Sequence, residues 1–82
     1  MNQNLEASFS VLVMSIASSA AAALGLAPNP QSGEIQKDKE MAKFNIDLLI
    51  ILQQKTKSNL QPDERIFLDN VVSDLQIKFM QL

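Results

Sequence analysis

The groups in this chain that could do chemistry are nine carboxylates, a set of serines on one helix, and the basic pair in Lys55-Thr56-Lys57. Two carboxylates can work as acid and base when burial drives their pKa values apart. Glu6, Glu34, Asp38, Glu40, Asp63, Glu64, Asp69 and Asp74 fall at helix starts or on polar faces, where solvation is their expected role. Asp47 differs, because Ile46 and Leu48 flank it. Its simplest role is a salt bridge to Lys43, one helical turn earlier, or a contact between chains. Lys55 and Lys57 stand where a helix would end, and cations there complement the negative end of the helix dipole.

There is no His and no Cys among the 82 residues. That removes the commonest general base, the commonest metal ligand, thiolate metal sites and disulfides. A di-iron bundle of the Glu-x-x-His type is excluded on the same ground. No base stands beside the serines to activate a nucleophile. Gly25 and Gly33 are the only glycines, so no phosphate-cradling loop is present. The expectation is a protein that is not an enzyme, with no cofactor and no metal. The seven basic residues are dispersed and the net charge is −2, so no basic face points to nucleic acid.

The elements that carry these residues are helical throughout. Apolar residues recur at three and four, never usefully at two. The pattern predicts an all-α, three-helix chain, with helices over about residues 4–24, 38–57 and 62–81, in one domain covering 1–82. In the first helix, one stripe is Leu5, Phe9, Leu12, Ile16, Ser19 and Ala23, and a second is Val13, Ala17, Ala20 and Leu24. Gly25 is a candidate left-handed cap with Leu26 as its hydrophobic partner. A tight turn is expected over Asn29-Pro30-Gln31-Ser32-Gly33. Asp38 is a candidate N-cap for the second helix. That helix's core stripe is read as Met41, Phe44, Leu48 and Ile51, widened by Ile46, Leu49, Ile50 and Leu52. Pro62 opens the third helix. Its core stripe is Leu68, Val72, Leu75, Phe79 and Leu82, flanked by Phe67 and Val71. Asp63, Asn70, Ser73, Asp74 and Gln81 make its solvated side.

The first helix is unusual. Ala7 to Gly33, 27 residues, hold no charge. Something must bury such a surface. A bilayer needs about 20 predominantly apolar residues. Ala7–Leu24 has five Ser, six Ala and only seven strongly apolar residues, and its Leu, Ile, Val and Phe together supply only about −2 to −4 kcal/mol of insertion energy. No basic residue precedes the run, which argues against a signal peptide and an interfacial helix. Ser15, Ser19 and Ala23, four apart, suit close helix–helix approach instead. A helix of this length on the surface of a soluble monomer normally carries several charges.

The expectation is therefore a helical homo-oligomer with helix 1 central, its interface made by Phe9, Leu12, Ser15, Ile16, Ser19, Ala20 and Ala23. The alternatives are a membrane-associated protein that buries helix 1 in lipid, and a small-molecule binder with a pocket between subunits. The partner is a copy of the chain itself or another protein.

Phe9 and the small-residue helix after it, Leu24-Gly25, Pro28-Asn29-Pro30 with Gly33, Ile46-Asp47-Leu48-Leu49, Lys55-Thr56-Lys57, Asn59-Leu60 and Glu64 also resemble a small bacterial family, domain of unknown function 1844. The resemblance covers about Phe9 to Leu82. It implies a short cytoplasmic bacterial protein and supplies no activity. It marks Asp47, Lys55, Thr56, Lys57 and Asn59 as candidate functional positions. Asn59 could also cap helix 2 in a left-handed conformation. One departure is Gln61, where the family usually has Thr or Ser before the proline.

Overall fold

Each helix begins where a side chain or a proline resolves its unpaired N–H groups. In a computed structural model, which describes residues 6–29 and 31–82, α1 is Phe9–Ala23, α2 is Lys39–Lys55 and α3 is Pro62–Met80. Among the described residues there is no β-strand, only an isolated antiparallel bridge between Leu24 and Lys37. The all-α reading holds.

The start of α1 is later than expected. Ser8 is extended, and its Oγ accepts from the Val11 N–H at 3.1 Å. A serine in this geometry is a strong N-cap, so Glu6, Ala7 and Ser8 lie outside the helix; Asn4 and Leu5 lie outside the described residues. The end of α1 is as expected. Gly25 has φ +78°. Its N–H donates to the Ala22 carbonyl at 3.1 Å, and the Leu26 N–H donates to Ala21 at 2.9 Å. These are the two bonds of a Schellman motif.

The following turn closes around Asn29. Its Oδ1 accepts from the Gln31 N–H at 2.8 Å, and its carbonyl accepts from Gly33 at 2.7 Å. Gly33 is left-handed at φ +72°. Asp38 caps α2 as expected, its Oδ1 accepting from the Met41 N–H at 3.1 Å. At the start of α3 the Glu64 carboxylate reaches back to accept from the Gln61 N–H at 2.9 Å, half of a capping box.

One core joins the three helices: Val13, Ala20, Ala23 and Leu24, then Ala42, Ile46 and Leu49, then Leu68, Val72 and Leu75. Leu49, Leu68 and Val13 are its largest fully buried side chains, each stabilising the fold by about 1.5–3 kcal/mol. The α3 stripe is as read from the sequence, except that Leu82 lies beyond the helix and is exposed. Phe67, Val71 and Phe79 pack against the core's edge. α2 and α3 run antiparallel. Lys39 Nζ sits 5.9 Å over the Phe79 ring at one end, and Gln53 Nε2 donates to Asp69 Oδ1 at 3.0 Å toward the other.

The stripe assigned to α2 is corrected. Ala42, Asn45, Ile46 and Leu49 face the core, while Met41, Phe44 and Ile51 are exposed and Leu48 is half-buried. Asn45 can be buried because its amide donates to the Met41 carbonyl at 3.0 Å, leaving no orphaned donor. Small Ala42 and Ala20, both fully buried, let the helix backbones approach.

The Cα positions span 38 × 36 × 15 Å. Two helix backbones of radius about 2.3 Å, packed about 8–10 Å apart, already fill the short dimension. The chain is thus a plate two helices deep, and every helix keeps an outward face.

Candidate interaction surface

The outward face of α1 is built from Ser10, Val11, Met14, Ser15 and Ser18, which line a shallow open depression. Ser19 stands at its edge toward α2, where it shares a groove with Met41 and Asn45. Val11, Leu12 and Met14 are each about half exposed, and no charged residue lies anywhere in α1. The hydroxyls of Ser15 and Ser19 do not need water. Ser15 Oγ donates to the Val11 carbonyl at 2.9 Å, and Ser19 Oγ to the Ser15 carbonyl at 3.3 Å. Such back-bonding occupies the donor within the helix itself.

The seven residues expected at an oligomer interface divide into two groups. Leu12, Ser15 and Ser19 are exposed and available. Ala20 and Ala23 are buried in the chain's own core, and Phe9 and Ile16 pack against that core. Within the single chain these four serve internal packing, as buried residues at Ala20 and Ala23 and in part at Phe9 and Ile16. The physical reason is the 100° step of the helix: the two stripes lie side by side, and their shared flank faces α2 and α3.

A groove of about 420 Å³ shows how α1 meets α2. Ser19 and Ala22 of α1 line it together with Met41 and Asn45 of α2, and Asn29, Gln31 and Gln36 of the connector close one side. Met41 is the first residue of the stripe Met41, Phe44, Leu48, Ile51, exposed except at half-buried Leu48, whose spacing of three, four and three keeps it on one side of α2. Phe44 is 57% exposed and Ile51 48%. Lys43 and Asp47 flank the stripe as an ion pair at 2.8 Å. This apolar row was visible in the sequence but assigned to the core.

The candidate functional positions are not brought together. Asp47 pairs with Lys43, as expected, and both border an apolar groove of about 440 Å³ between α2 and α3, where Ile46, Ile50, Phe79 and Met80 form the walls. Lys55 is the last residue of α2, eight residues or about 12 Å along the axis from Asp47. Lys57 lies in a separate groove of about 210 Å³ with Gln53, Arg65 and Asp69. Thr56 caps α2 and its Oγ1 donates to the Leu52 carbonyl. Asn59 is exposed, and its N–H closes the turn onto the Thr56 carbonyl at 3.0 Å. No non-glycine residue among those described has positive φ, so the left-handed cap expected at Asn59 is corrected. The backbone bond to Thr56 makes the turn without it.

Among the described residues, no group of three or more acidic side chains is placed to hold a metal ion, and no helix is long and apolar enough to cross a membrane.

These features define a small all-α protein of three helices with an uncharged outward face. The chain belongs to the family described as Domain of unknown function (DUF1844), whose model matches residues 6–81. No curated protein and no solved structure matches it.

Proposed function

We propose that this chain is a non-catalytic, self-associating interaction or scaffold subunit of the bacterial cytoplasm, with α1 at the centre of the assembly. The observation that carries the reading is the outward face of α1. It is exposed in the single chain and has neither charge nor free hydroxyl donors at Ser15 and Ser19. Contiguous apolar surface of this kind on a soluble protein marks an interaction site. A small domain with no disulfide gains stability most readily by association.

Sedimentation or light scattering at micromolar concentration tests the proposal. A species of at least twice 9.1 kDa is expected. A 9.1 kDa particle at every concentration overturns it. Cell fractionation separates it from the rival in which α1 lies against lipid. Recovery in the membrane pellet, released only by detergent, would favour the rival.

A further inference from the structure

We infer that the self-association surface is formed by two helices, with the α2 row of exposed Met41, Phe44 and Ile51 and half-buried Leu48 acting as a ridge that docks onto the outward face of α1 in a second copy. The inference rests on the self-association reading above and adds which residues make the contact.

Three observations carry it. The first is shape. α2 presents a row of large side chains, while the neighbouring α1 surface interleaves small Ser15, Ser18 and Ser19 with half-exposed Val11, Leu12 and Met14. Ridge and trough run beside each other, joined where Ser19 and Met41 line one groove. A two-fold axis between them places each copy's ridge over the other's trough. This is the self-complementarity that an isologous dimer requires, in the manner of ridges packed into grooves.

The second is charge. α1 contributes none, and the ion-paired Lys43 and Asp47 lie along the outer edge of the ridge. An uncharged centre with a polar rim is the usual anatomy of a protein interface. A charged partner would find ions only at the rim, already paired with each other at Lys43 and Asp47, whereas a second copy brings the same uncharged centre.

The third is area. Val11, Leu12, Met14, Met41, Phe44 and Ile51 are each about half exposed. Side chains of that size together offer on the order of 500–700 Å² of apolar surface, near the roughly 800 Å² per partner of a standard interface.

The test is analytical ultracentrifugation of the full chain and two variants. Phe44→Asp places a charge on the ridge without touching the core. Ile77→Asp does the same on the outward side of α3, where Ile77 is 57% exposed. Circular dichroism confirms that both remain helical. The expected result is a dimer for the unaltered chain and for Ile77→Asp. For Phe44→Asp the dimer Kd rises roughly thirtyfold or more, the loss expected from an unpaired charge in a desolvated contact. If the unaltered chain dimerises and Phe44→Asp dimerises as tightly, the ridge is overturned while self-association stands. If the unaltered chain is monomeric throughout, the self-association reading falls and takes the ridge with it.

Discussion

The backbone N–H of Asp38 donates to the carbonyl of Ala23 at 2.8 Å. This bond fastens the start of α2 to the last residue of α1, across a connector of fifteen positions. The same aspartate caps α2 through its carboxylate, so one residue joins two helices and begins one of them. Asp38→Ala keeps the backbone bond and loses the cap. The expected cost is about 0.5–2 kcal/mol, read by urea denaturation. A variant as stable as the parent would show that the cap is replaced by water at no cost.

The two glycines separate conformational strain from crowding. Both are left-handed, at φ +78° for Gly25 and +72° for Gly33. A Cβ on Gly33 would meet nothing within 4 Å, whereas one on Gly25 would lie 2.8 Å from Lys37 Cγ. Gly33→Ala is therefore expected to cost about 1–2 kcal/mol, the left-handed penalty alone. Gly25→Ala should cost more, because the Lys37 side chain must also move. Equal midpoints in parallel thermal melts would refute the difference.

Ala20 and Ser19 are adjacent in sequence and should fail in different ways. Ala20 is fully buried in the chain's core. Ala20→Glu adds volume and an unpaired charge to that core, a loss of several kcal/mol that approaches the whole stability of a small domain. It should abolish helicity. Ser19→Lys leaves the helix signal intact and, on the proposed function, weakens association. A folded Ala20→Glu chain by circular dichroism would place Ala20 outside the core.

Leu75 tests the α3 contribution. It is one of three buried residues of α3, with Leu68 and Val72. Leu75→Ala is expected to cost about 2–5 kcal/mol through loss of apolar contact and a residual cavity. Chemical denaturation measures this directly, and a cost under about 1 kcal/mol would mean that the site collapses without leaving a void.

The sequence was most legible at the residues that punctuate the helices. Gly25 takes the left-handed cap read for it, Gly33 ends the turn, Pro62 opens a helix and Asp38 caps one. The α3 stripe was legible because only one of its faces is consistently apolar. The α2 stripe was not. Leu48 to Leu52 are apolar without interruption, so two faces compete for the core and periodicity cannot choose between them. What decides is Ala42 and Asn45, a small residue and a polar one that bonds its own helix. Neither carries a hydrophobic signal strong enough to be chosen from sequence. The same blindness hid Ile66, Ile77 and Met80 on the exposed side of α3. For the interaction surface, the missing charges of α1 were plain, but the position of its core flank depended on where α2 and α3 lie.

The hydroxyls of Ser15 and Ser19, turned inward onto their own helix, have a thermodynamic consequence. A contact made over them exchanges no ions and few hydrogen bonds with water, so added salt has little to screen. Its driving force is the release of ordered solvent, which weakens on cooling. Assemblies of this chain should therefore loosen in the cold and tolerate high ionic strength, the reverse of a complex held by charge.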